Sequence, residues 1–122
     1  MNDENTKILI ETFPELFRKK EFYFQCGDGW FDLLHYTCRV LKSYAGNDEA
    51  YIHFTQVKEK FGLLRIYIDC GCDANYQQAW GVTTMAEAAS ALICEECGER
   101  SKLQNHSGWL STLCDRCIKK DY

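Results

Sequence analysis

The chain has 122 residues and a mass of 14.2 kDa, is 46% hydrophobic and 14% aromatic, and carries one proline; this supports a single packed core and excludes a disordered chain. The net charge is −4 and the pI about 5.3, which argues against a generic polyanion binder and leaves room only for a local basic patch. No apolar run approaches the ~20 residues of a membrane span, and the start MNDENTKILIETF lacks the basic and apolar parts of a secretory signal, so the expected compartment is the cytoplasm.

Residues 5–20 read as helix, with Ile8, Leu9, Phe13, Leu16 and Phe17 at helical intervals. Pro14 inside this pattern either kinks the helix or starts a second short one, because proline cannot donate to the preceding turn. Arg18, Lys19 and Lys20 close the segment, where cations suit the helix dipole. Phe22–Gln25 reads as a short extended piece and residues 26–29 as a turn. A helix follows from Trp30 to Ala45, its apolar face being Trp30, Leu33, Leu34, Cys38, Leu41 and Ala45. Asp28 or Gly29 is its expected N-cap, Asp32 lies in its first turn, and Gly46 and Asn47 stop it.

The turn Gly27-Asp28-Gly29-Trp30 fits two readings. Its N–H groups can hold an anion at a helix start, or it is a cap that delivers Trp30 to the core; the second is preferred. Asp28 and Asp32, four apart, would need a third ligand to hold a metal.

Residues 50–69 read as a β-hairpin on a small antiparallel sheet. Ile52, Phe54, Leu64, Ile66 and Ile68 form the inner face, and residues 58–62 form the reversal. Lys58, Lys60 and Arg65 gather there with Phe61 at the tip, either as a partner contact or as an ordinary solvated, lysine-protected edge. Residues 75–93 read as helix, with Met85, Ala88, Ala89 and Leu92 as its apolar stripe; Thr84 and Glu87 form a capping box that would start a helix at Thr84, and Gly81 just upstream speaks against helix over 75–82. That helix runs directly into the cysteines, so the last segment is expected to dock on the body.

Eight cysteines in a chain without an export signal point to metal ligation rather than disulfides. Cys94-x2-Cys97 and Cys114-x2-Cys117, separated by 16 residues, have the spacing of a four-cysteine zinc site. Each pair turns both sulfurs to one side, and two such turns complete a tetrahedron. Gly98 suits the tight knuckle, and Arg100, Lys102, Arg116 and Lys119 are placed to offset the anionic centre. Four cysteine ligands leave no open position for water, so one structural Zn2+ is expected, in a knuckle, hairpin and helix order that is treble-clef-like. The four thiolates subtract four charges from −4 and the ion returns two, leaving −6.

Cys38 reads as a small buried hydrophobe. Cys26, Cys70 and Cys72 read as free thiols. Their alternatives are a second metal site with His35 or His53, and a redox pair between Cys70 and Cys72. His106 reads as a loop histidine. Trp109 and Phe61, aromatics at expected loop positions, read as contact residues or as plugs between hairpin and finger. No catalytic triad, nucleophile elbow, phosphate loop or HExxH motif is present, so a non-enzymatic protein is expected; an enzyme would have to use Asp28, Asp32, His35 or the spare cysteines.

The finger spacing with WLSTLCDRC is similar to GATA-type fingers. Residues 94–122, however, hold five acids and five bases, unlike a basic DNA-reading finger. Three segments together, CGDGWFDLL at 26–34, VKEKFGLLRIY at 57–67 and CEECG…GWLSTLCDRC, resemble a family of small uncharacterised phage, prophage and bacterial proteins, over roughly residues 20–118. The resemblance implies a phage-linked cytoplasmic protein with a C-terminal zinc module and supplies no catalytic residue.

The expectation is therefore an α+β fold, with a body over 1–93 and a zinc finger over 94–122 docked on it. It would act by binding a host or phage macromolecule, first of all a protein such as a host factor. The alternative is a nucleic-acid-binding regulator using the finger and the basic hairpin.

Overall fold

A computed structural model describes residues 1–18, 21–45, 52–71 and 73–121. Lys19, Lys20, Gly46, Asn47 and Cys72, and the first two residues of the expected hairpin, lie outside them. The architecture is α+β, with helices on a small sheet and the four paired cysteines close together at the C-terminal end.

Helix α1 spans Asp3–Thr12 and is capped by Asn2, whose Oδ1 accepts from Asn5 N at 2.7 Å. It does not continue to residue 20. Pro14 has no N–H to extend it and instead opens a separate 3₁₀ turn, Pro14–Leu16. Leu9, Phe13, Leu16 and Phe17 are buried as expected, whereas Ile8 is exposed.

Strand β1 (Phe24–Gln25) is followed by a 3₁₀ turn, Asp28–Trp30, and then by α2 (Phe31–Ala45). Trp30, Leu34, Cys38 and Leu41 are wholly buried along one stripe of α2 and the turn before it. Neither Asp28 nor Gly29 is the N-cap: Gly27 caps the 3₁₀ turn. The Asp28 carboxylate instead accepts from Asn2 N (2.8 Å) and Asn5 Nδ2 (3.1 Å), tying α1 to this turn.

Strands β2 (Ile52–Lys60) and β3 (Leu63–Cys70) pair antiparallel. The sheet is mixed rather than antiparallel throughout, because β1 pairs β2 in parallel, Phe24 opposite Val57. The reversal is tighter than expected. Only Phe61 and Gly62 lie outside the strands, both with positive φ (54° and 84°), as a two-residue type I′ turn requires. A bulge between Phe54 and Gln56 keeps Ile52, Phe54 and Val57 all on the core side.

Helix α3 (Asp73–Ser90) packs along β3 and beside α2. It runs unbroken through Thr84, so the Thr84–Glu87 pair starts nothing. Glu87 Oε2 accepts from Ile66 N and Ser90 Oγ from Leu64 N, both at 2.9 Å. Two edge N–H groups of β3 are thus closed by side chains of α3. The stripe is also displaced from the expected one: Ala79, Thr83, Ala86 and Ser90 face the core, while Met85 and Leu92 are exposed.

After α3 come a short hairpin, β4 (Gln104–His106) and β5 (Trp109–Ser111), and the helix α4 (Asp115–Asp121).

Candidate metal centre

The first cysteine pair sits on a tight turn in which Gly98 N donates to Cys94 O (2.9 Å) and Cys94 N to Glu99 O (2.7 Å). Gly98 has φ +81°, the conformation the knuckle needs. The second pair straddles the start of α4: Cys114 precedes the helix and Cys117 lies in its first turn. The four Sγ atoms all lie within 4.8 Å of one another, Cys97 and Cys114 at 3.6 Å. Tetrahedral ligation at ~2.3 Å places sulfurs about 3.8 Å apart, so the four fit one metal ion. None of the four is in a disulfide.

The electrostatics agree with that fit. The Glu99 N–H aimed at Cys97, with help from Arg116 and the neighbouring thiols, brings the Cys97 thiol down to about 7. Burial and the three adjacent thiols push Cys117 up. Sulfurs this close ionise together only around a cation. Of the four cations expected to offset the centre, Arg116 reaches a ligand, with Nη2 3.8 Å from Cys97 Sγ.

The knuckle is clamped by the CGDGW turn. Gly29 N donates to Glu95 O (2.7 Å), Gly27 N to Glu95 Oε2 (3.0 Å), and the Trp30 indole N–H to Ile93 O (2.9 Å). A Cβ on Gly29 would stand 2.0 Å from Cys94 O, and one on Gly27 2.4 Å from Glu95 O. Both glycines are therefore required by close backbone approach rather than by turn geometry. The two readings of this turn merge: Trp30 is in the core, and the anion at the N–H groups is the chain's own Glu95. Burial holds the Glu95 carboxyl above the ordinary carboxylate range, and the Gly27 N–H bond offsets only part of that rise. The opposite grip comes from the β2–β3 turn, where Thr112 Oγ1 donates to Gly62 O (2.7 Å) and a Cβ on Gly62 would meet Leu103 at 2.5 Å. Spacing within the cysteine cluster could not reveal either grip; the visible signal was two glycines flanking Asp28 ahead of a tryptophan.

The other candidates separate. Cys26 and Cys38 are buried in the main core, and burial pushes Cys26 up to about 12 and Cys38 up as well. His35 lies against the rings of Phe13, Phe31 and Tyr36. Asp28 is engaged with Asn2 and Asn5. Among the described residues, the paired cysteines are the one group of three or more potential ligands that comes together. Lys58 and Arg65 are cross-strand partners, Gln25 pairs Lys58 from β1, and Lys60 lies 5.8 Å from the Phe61 ring. Trp109 borders a cleft of about 280 Å3 with Glu59, Glu95 and Glu96.

His53 is buried 3.9 Å from Asp69. Burial, then Arg18, hold its pKa below the ordinary 6.5, against the pull of Asp69. The folded chain thus resists protonating His53 more than the unfolded chain does. Stability should be full above about pH 7, fall as pH drops through the unfolded-state value, and level off below the folded-state one. Urea midpoints across this range check the slope, which His53→Gln should flatten.

No protein-family model, curated protein or solved structure matches the chain. No helix among the described residues is long and apolar enough to cross a membrane.

Proposed function

We propose that the protein is a non-enzymatic zinc-binding protein in which a treble-clef-like four-cysteine finger braces a basic sheet face that receives a protein partner. Zinc suits four thiolates in a closed tetrahedron, and a metal ringed by four protein ligands keeps no position for substrate. The ion's work is then to hold the knuckle against the CGDGW and hairpin turns. In line with the family resemblance, the setting is phage-linked and cytoplasmic, and the partner is a host or phage factor with an acidic surface.

The observation that carries this reading is the row across the sheet. Gln25, Lys58 and Arg65 are aligned on three strands, on the side opposite the buried Phe24, Val57 and Ile66. Lys60 follows on the same side of β2, and Tyr67 lies on that side of β3 and is exposed. None of the three cations forms an ion pair among the described residues. Held flat by a sheet, such charges steer and orient an acidic partner.

The test is affinity capture from host lysate, then titration of the purified captured protein. The double variant Lys58→Glu/Arg65→Glu should weaken binding at least tenfold, about 1.4 kcal/mol, with zinc content unchanged. Unaltered affinity removes the sheet face from the proposal. Tight binding of oligonucleotides with a steep salt slope, and of no protein, would put the nucleic-acid reading in its place.

A further inference from the structure

We infer that the groove between α1 and the outer edge of β1 takes an extended, basic peptide segment of a partner protein, added to the sheet beside β1.

The register fixes where the backbone of β1 points. Ile66 N turns away from β2 to Glu87, so Val57 and Ile66 are a non-hydrogen-bonded pair. The N–H and C=O of Val57 therefore face β1, where a parallel ladder joins them to the residues flanking Phe24. Phe24's own N–H and C=O point the other way. In the strand order β1-β2-β3 that side is the edge of the sheet, and neither group has a hydrogen-bond partner among the described residues.

Phe24 is only 5% exposed, and buried backbone groups are almost always paired. What completes such an edge is another extended backbone, which brings a donor and an acceptor at the strand repeat. The next outward carbonyl along it, that of Cys26, already accepts from the Met1 amino group.

There is room for the added strand. A cavity of about 580 Å3 lies between Ile10 and Pro14 on the α1 side and residues 21–24 on the other. The ten residues of α1 run ~15 Å, the length of about four or five residues of extended chain. Side chains alternate along such a strand, so every second one falls on the Phe24 side, beside the partly buried Ile10 and Phe22. Those positions call for apolar residues.

Charge sets the positions between them. The walls carry Asp3, Glu11 and Glu21 against Lys7. Lys7 lies 3.9 Å from Glu11, and Asp3 and Glu21 have no ion pair among the described residues. Two uncompensated carboxylates favour a peptide bearing Lys or Arg. They disfavour a second copy of this chain, whose net charge is −4. The groove is on the Phe24 side of the sheet, away from Lys58 and Arg65, and does not depend on them.

Amide exchange followed by NMR on the full, zinc-loaded chain tests this, with a panel of synthetic heptapeptides that alternate Val, Leu or Phe with Lys. Before peptide is added, Phe24 N–H should exchange about tenfold faster than Gln25 N–H, which the register turns toward β2. Bound peptide should slow Phe24 by about tenfold or more. Methylating alternate backbone nitrogens of the peptide should weaken binding about tenfold in one frame and not in the other, because only one set of N–H groups faces β1. Exchanging the peptide's Lys for Glu should weaken it as much. Ile10→Arg and Glu21→Lys should each lower affinity about tenfold with zinc content unchanged; Glu21 is exposed, so its variant serves if Ile10→Arg does not fold. Lys58→Glu/Arg65→Glu should bind the peptide as the natural chain does. The inference is overturned if no peptide of the panel binds below about 1 mM, or if methylation in either frame is without effect. Phe24 protection that rises with protein concentration alone would put a second copy at this edge and overturn it too.

Discussion

Stripping the metal is expected to open residues 94–121 and to loosen the start of α2 with them. Structural zinc in finger-sized units contributes on the order of 10–16 kcal/mol at neutral pH, and the apolar cluster of the finger itself is small, being built on Cys94, Leu113 and Cys117. Hydrogen exchange reads this directly. The amides of Cys94 and Gly29, bonded to Glu99 O and Glu95 O, should lose at least a hundredfold of protection in a strong chelator, about 2.7 kcal/mol. Amides in the middle of β2 and β3 should change far less. Cys94→Ser with Cys97→Ser should match the chelated protein. Elemental analysis below half an equivalent of zinc per chain, or exchange indifferent to chelator, would remove the metal from its place in the fold.

The second large effect belongs to a residue without a side chain. Gly29→Ala should cost about 3 kcal/mol or more, near the upper end for overpacking. Its methyl group would meet backbone rather than a side chain that can swing away: Cys94 O at 2.0 Å and the Glu95 carbonyl carbon at 2.6 Å. Relief requires the knuckle to back off, which stretches the Gly29–Glu95 hydrogen bond and shifts a metal ligand. Zinc affinity should therefore fall together with the urea midpoint. Gly81→Ala is the internal control, since its added methyl meets nothing within 4 Å among the described residues.

These two expectations mark what was readable in advance and what was not. The cysteine cluster was legible because two x2 spacings are a local constraint, enforced by turn geometry alone. Helix α2 was legible because Trp30, Leu34, Cys38 and Leu41 recur at the helical period. The stripe on α3 was not, because apolar residues lie on several sides of that helix and the small ones won the core. The reversal is shorter than the expected residues 58–62 because a non-glycine residue, Phe61, takes a left-handed φ, with no Asn-Gly or Asp-Gly pair to advertise it. Strand β1 is two residues long and parallel to β2, a pairing no short stretch can announce. The roles of Gly27, Gly29 and Gly62 depend on backbone lying far away in sequence; Gly27 and Glu95 are 68 residues apart.

That long-range clamp bears on what can be transplanted. A cysteine finger is often treated as a cassette, to be cut out or exchanged for another of equal spacing. Here the knuckle carries a carboxylate fitted to one turn and a carbonyl fitted to the neighbouring glycine, so a chimera with a foreign finger would meet a socket shaped for a different key. Only grafts that bring Glu95 and keep Gly27 and Gly29 opposite it should yield a well-folded hybrid.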